Sequence, residues 1–93
     1  MSDYRIFETD EFRSRLRKLN LGQRRVIANK LVRYVYPQLR TAPYFGPNIR
    51  KLRGYEPETW RYRIGGFRIF YCVNDKERMV QVLTIDDRKD ACR

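Results

Sequence analysis

Between Trp60 and Val73 the chain reads WRYRIGGFRIFYCV. Aromatic or aliphatic residues take every second position, and Arg61, Arg63 and Arg68 fall between them. Period-two alternation sends successive side chains to opposite faces of a strand. A helix would scatter the same residues around its circumference, so the pattern argues for strand. Gly65-Gly66 interrupts it and supplies a two-residue turn. The stretch is therefore predicted to be a hairpin. One face carries Trp60, Tyr62, Ile64, Phe67, Ile69, Tyr71 and Val73; the other carries Arg61, Arg63, Arg68, Phe70 and Cys72. The first face must be covered, and the remainder of the chain has to supply the cover.

The N-terminal half has the right patterns for that. Tyr4 to Thr9 (YRIFET) alternates and reads as a short strand. Thr9 is placed to cap a helix, with Asp10 and Glu11 in its positive first turn. Phe12, Leu16 and Leu19 then form one apolar stripe. Asn20 and Gln23 have capping-box spacing and open a second helix, expected over Gly22 to Tyr36. Its apolar face is Ile27, Leu31, Tyr34 and Val35, and Pro37 is expected to stop it. Pro37 to Asn48 holds three prolines and a glycine and reads as loop. IRKLRG resumes an extended pattern, and RMVQVLTID follows the NDKE turn as the last strand. The expected fold is α+β, a single domain over residues 1–93. Two N-terminal helices pack on one face of a four- to five-stranded antiparallel sheet, leaving the other face open.

The open face needs only polarity, yet it is given arginine. The chain has 21 Lys and Arg against 11 Asp and Glu, a formal charge of +10. Guanidinium groups make planar, bidentate contacts with phosphate. Like charges on neighbouring positions of a hairpin cost stability, and an anion relieves that cost. Lys51 and Arg53 precede the hairpin and Arg88 follows the last strand, all within expected reach of one basic surface. Phe70 sits among them as a platform on which a base can stack. Basic groups with an interleaved aromatic are what single-stranded nucleic acid requires.

Other classes find little support. The polar N-terminus has no signal-like apolar core, and no run approaches a membrane span. Cys72 and Cys92 make no disulfide framework and lack zinc-site spacing. The expectation is a cytoplasmic protein with reduced thiols and neither metal nor cofactor.

KLRG at Lys51–Gly54, followed by WRYRIGGFRIFY at Trp60–Tyr71 and a last strand ending in a basic residue, resembles the RelE/ParE superfamily of bacterial toxins from toxin-antitoxin systems. The resemblance covers nearly the whole chain. For RelE-like members it implies an endoribonuclease acting on mRNA in translating ribosomes. A ribose 2′-hydroxyl attacks the adjacent phosphate and leaves a cyclic phosphate. Carried over by position, the resemblance implies catalytic roles for Arg61, Arg63, Arg68 and Arg88. Lys51, Arg53, Phe70 and Lys89 are expected to contact the RNA beside them. The implied partners are a cognate acidic antitoxin, mRNA and the ribosome.

The sequence departs from that pattern at the proton-transfer group. It has no histidine and no tyrosine after Arg88, and arginine hardly deprotonates. Asp87 or Asp90 is therefore the expected general base. ParE-like members share the scaffold without the nuclease residues and poison DNA gyrase, which leaves a gyrase inhibitor as an alternative. A catalytically inactive RNA-binding module is another.

Overall fold

A computed structural model describes residues 3–87. Strand β1 (Arg5–Glu8) leads into α1 (Asp10–Arg17) and α2 (Leu21–Lys30). A π-helical turn (Leu31–Val35) joins α2 to α3 (Tyr36–Thr41). Strands β2 (Ile49–Lys51), β3 (Trp60–Ile64), β4 (Phe67–Asn74) and β5 (Met79–Asp87) complete the chain. The five strands form one sheet in the order β1-β5-β4-β3-β2. The fold is α+β with the helices on one face, as the alternation requires.

The helix starts follow local chemistry. Thr9 accepts a hydrogen bond from the Phe12 amide at 3.1 Å, and Asn20 accepts one from the Gln23 amide at 2.8 Å. Each satisfies an amide that the first turn leaves without a partner. Phe12, Ile27, Leu31, Val35 and Leu39 then meet Tyr62, Ile64, Ile69, Tyr71, Val80, Val82 and Ile85 in a single core. Trp60, Phe67 and Val73 pack at its margin and are only partly buried.

Two features differ from expectation. Pro37 does not stop the helix. The Tyr36 amide reaches back to the Leu31 carbonyl, five residues away, in the π turn. Pro37 then falls in the first turn of α3, where its missing N–H costs no hydrogen bond. The segment read as loop thus begins with a helical turn and a half. The second difference is at the edge of the sheet. Strands β2 to β5 pair antiparallel, but β1 pairs β5 in parallel, Arg5 with Met79 through Glu8 with Val82. Helices rather than a tight turn separate β1 from its partner, so nothing local forces it to run antiparallel.

Gly65 turns the β3–β4 hairpin at φ 57°, and Ile64 faces Phe67 directly across the two-residue loop. A positive φ at the first turn position alone is the type II′ pattern, which matches strand twist. In β5 the residue Leu83 is extra: Phe70 faces Thr84 while Tyr71 faces Val82. This bulge reverses the parity of the strand. Val80 and Val82 are buried before it and Ile85 after it. No helix among the described residues is long and apolar enough to cross a membrane.

Candidate functional site

The β3–β4 register fixes the open face. Arg63 lies directly across from Arg68, and Arg61 directly across from Phe70. Two arginines thus face one another next to the hairpin turn, and an arginine–aromatic pair follows one repeat down the strands. The rows extend onto the neighbouring strands. Arg68 pairs with Asp86 and Phe70 with Thr84 on β5. Arg50 of β2 pairs with Arg61. Arg50 and Arg63 are exposed, while Arg61, Arg68 and Phe70 are half-buried.

Arg68 is held without being neutralised. Its guanidinium lies 5.2 Å from the centre of the Phe70 ring, and its Nε is buried with no hydrogen-bond partner among the described residues. None of Arg50, Arg63 and Arg68 has an acidic ion-pair partner among the described residues. Asp86, the acidic residue among the strand positions of this face, is engaged beside the sheet edge by α1. There β1 has ended, and Arg15 of α1 reaches both the Ile85 carbonyl at 3.3 Å and the Asp86 carboxylate at 3.6 Å.

The opposite end of the sheet is arranged differently. Asp75, in the β4–β5 turn, accepts hydrogen bonds from Tyr4 and Tyr44 at 2.5 and 2.7 Å. Arg78 lies 4.1 Å from the centre of the Tyr4 ring and donates to its hydroxyl at 3.0 Å. The bond from Tyr4, and then that from Tyr44, hold the Asp75 carboxyl below the usual aspartate range. The same carboxylate pushes the Tyr4 hydroxyl up, and burial followed by the bond to Asp75 does so for Tyr44.

Arg61, Arg63, Arg68 and Phe70 therefore come together where the alternation put them. Others do not. Lys51 pairs with Trp60, on the helix-side face, and its ammonium meets Glu58 at 3.0 Å. Alternation explains this: Ile49 faces buried Tyr62, so Arg50 takes the open face and Lys51 returns to the other. Arg53 is exposed in the loop between β2 and β3, outside the rows. Asp87 pairs with Phe67 and so belongs to the helix-side face, because the Leu83 bulge reverses the parity of the strand. The carboxylate in the Arg68 row is Asp86. Arg88, Lys89 and Asp90 lie outside the described residues.

Sequence reasoning missed Arg50 and Asp86, although each left a signal. For Arg50 it is the apolar Ile49 beside it. For Asp86 it is the shift of apolar parity from Val80 and Val82 to Leu83 and Ile85.

Comparison with known proteins extends the resemblance. No curated protein matches the chain. Among solved structures, a variant of the E. coli toxin RelE with two arginines changed to alanine, in the free state, is 25% identical. The alignment covers 98% of this chain and 88% of that one, with a TM-score of 0.67. The intact E. coli RelBE toxin-antitoxin complex gives 26% identity over 90% of this chain and 95% of that one, with a TM-score of 0.64. The toxin-antitoxin complex RelBE2 from Mycobacterium tuberculosis is 23% identical over 92% and 99% of the two chains, with a TM-score of 0.72. That last likeness speaks to the fold alone. The family model described as "ParE toxin of type II toxin-antitoxin system, parDE" matches residues 6–91. With that match spanning almost the entire sequence, and a RelE-like fold beneath it, the chain belongs to the RelE/ParE superfamily of type II toxin-antitoxin toxins.

Proposed function

We propose that this toxin is an mRNA endoribonuclease that binds single-stranded RNA across the open sheet face, acting on translating ribosomes. The observation that carries the reading is the direct opposition of Arg63 and Arg68 on that face, with Phe70 facing Arg61 one repeat away. In-line attack at phosphorus gathers negative charge on the equatorial oxygens. Arginines already fixed on strands stabilise that charge without reorganising.

In the proposed step the ribose 2′-oxygen bonds to the adjacent phosphorus and the bond from phosphorus to the 5′-oxygen breaks. The 2′-hydroxyl proton passes to a carboxylate, and the departing 5′-oxygen takes a proton from water. The product is a 2′,3′-cyclic phosphate. Asp86 replaces Asp87 as the proposed proton acceptor, since it shares the Arg68 row, and in this step its carboxylate leaves the ion pair with Arg15 to face the 2′-hydroxyl. Arg63 and Arg68 hold the scissile phosphate, Arg61 holds the RNA beside it, Arg88 keeps the catalytic role that the resemblance implies, and Lys89 contacts the RNA.

The cellular partner in this reading is an antitoxin whose contacting segment is acidic. Solved relatives include toxin-antitoxin complexes, and a net charge of +10 favours an acidic partner. Such a complex loosens as salt rises. The match to a family described by the ParE name, together with the absence of histidine, favours a second reading: a ParE-like gyrase inhibitor that cuts no RNA. One experiment separates them. The toxin is added to a translating extract and, in parallel, to a gyrase supercoiling assay. Cleaved mRNA with normal supercoiling is the expected result. Intact mRNA with blocked supercoiling would transfer the assignment to the gyrase reading.

A further inference from the structure

Arg50 has no part in the scheme above. It is exposed on the edge strand β2, stands directly across from Arg61, and has no acidic partner among the described residues. Its neighbour Lys51, on the other face of the same short strand, is paired with Glu58 at 3.0 Å. One strand of three residues thus carries a neutralised cation on one face and an unneutralised cation on the other. A direct cross-strand pair of like charges is destabilising, and any uncharged polar residue at position 50 would avoid it.

The spacing gives that pair a meaning. Arg50–Arg61 and Arg63–Arg68 are two cross-strand pairs, set two residues apart along β3. Two residues of strand rise are about 6.6 Å, within the reach of one nucleotide of an extended backbone. Phe70 faces Arg61 and also lies beneath the Arg68 guanidinium, 5.2 Å from it, so it belongs to both rows. The face therefore sets two cation pairs one strand repeat apart, with the aromatic ring at the end of the Arg50–Arg61 row and beneath the Arg68 guanidinium. Single-stranded nucleic acid repeats as phosphate, base, phosphate.

Resting on the reading that the open face takes RNA, we infer that Arg50 and Arg61 form a second phosphate seat. It lies one nucleotide from the seat at Arg63 and Arg68, and Phe70, which ends the Arg50–Arg61 row, stacks the neighbouring base. The phosphate held at Arg50 is not the one cleaved. Arg50 therefore contributes to binding and leaves the chemical step alone.

The test uses the full chain and a labelled, fully 2′-O-methylated ten-nucleotide uridine RNA, which lacks the attacking hydroxyl and cannot be cut. Binding is followed by fluorescence anisotropy over a series of salt concentrations, and stability by thermal unfolding. Arg50→Thr should weaken binding about three- to tenfold at low salt and reduce the slope of log K against log salt by about 0.7. It should also raise the unfolding midpoint, because a like-charge pair is removed. A purely structural role would lower the midpoint instead. Arg50→Lys should keep the wild-type slope. Arg25→Thr, an equal charge change on the exposed side of α2, should alter neither binding nor slope. With a cleavable RNA, Arg50→Thr should raise KM and leave kcat unchanged. If Arg50→Thr behaves like Arg25→Thr while Arg63→Thr and Arg68→Thr weaken binding, the second seat is refuted and the RNA reading stands. If the wild-type chain itself fails to bind the RNA, both fall together.

Discussion

The two ends of the sheet treat charge in opposite ways. At the β4–β5 turn, Arg78, Asp75, Tyr4 and Tyr44 engage one another: the carboxylate accepts from two phenols, and the guanidinium stacks on one of them and donates to its oxygen. Near the β3–β4 turn, Arg63 and Arg68 face each other and no carboxylate pairs with either among the described residues. The first arrangement ties the N-terminus and the loop after α3 to a turn, and it explains its own presence by what it holds. The second lowers stability and explains nothing within the fold. Charges that a protein satisfies internally describe its structure. Charges left without an acidic partner among the described residues are free to act on something outside the fold.

Substitutions at the two ends should therefore separate activity from stability. The largest effect belongs to Arg68→Ala. Loss of one preorganised donor to the transition state should slow mRNA cleavage on the order of 100- to 1000-fold. The thermal midpoint should stay within a few degrees of wild type. A collapse of the midpoint in parallel with activity would make Arg68 a structural residue and dissolve the contrast.

Next is the pair Asp86 and Asp87, which probes the parity set by the Leu83 bulge. Asp86→Asn should reduce single-turnover cleavage about 100-fold, since a general base contributes at least that much. Asp87→Asn should change the rate less than about threefold, within what a residue off the reacting face contributes. The reverse order would place the reacting phosphate on the other side of the strand.

A smaller effect is expected at the satisfied end, and it appears in stability. The Asp75 carboxyl is held below its unfolded value. Its contribution is present above about pH 4 and is lost as pH falls through the lowered folded value. Tyr4 and Tyr44 are held above theirs. Their contribution is present below about pH 10 and is lost as pH climbs towards the raised folded values. Thermal unfolding across pH should therefore show a plateau bounded on both sides. Asp75→Asn should flatten the acid edge. Tyr44→Phe should lower the midpoint by about 3–6 °C, the loss expected for one hydrogen bond in a domain of this size, with cleavage unchanged. A plateau with the same acid edge in Asp75→Asn would show that this cluster does not govern acid stability.

The smallest effect has the opposite sign. Arg63→Thr should raise the midpoint by about 1–3 °C, because it removes one of two facing guanidinium groups and adds a good strand former. Added salt should stabilise the wild type more than this variant, since screening weakens the same repulsion. A variant less stable than wild type would mean that the facing arginines support the fold after all.

Much of this was written in local pattern. Alternation from Trp60 to Val73 decides which side chains share a face, because successive residues of a strand must point oppositely whatever the strand pairs with. Thr9 and Asn20 cap their helices through contacts three residues away, so those starts are also legible. The arginine face follows as the complement of an apolar one. What stayed hidden depended on contacts distant in sequence. Pro37 continues a helix because the core draws Tyr36 and Leu39 inward and a π turn absorbs the missing N–H. β1 can run parallel to β5 because the helices carry the chain to β2 at the far edge and β5 meets β1 only after three more strands, with no hairpin to set their direction. Arg50 joined the open face, and Lys51 left it, once Ile49 took its place opposite Tyr62. Asp86 displaced Asp87 because a single extra residue in β5 lets Val82 and Ile85 both reach the core. The sequence by itself determined the faces, since side-chain direction is a property of each strand alone. Tertiary structure decided the register, because pairing and bulges answer to the core that all the elements must fill together.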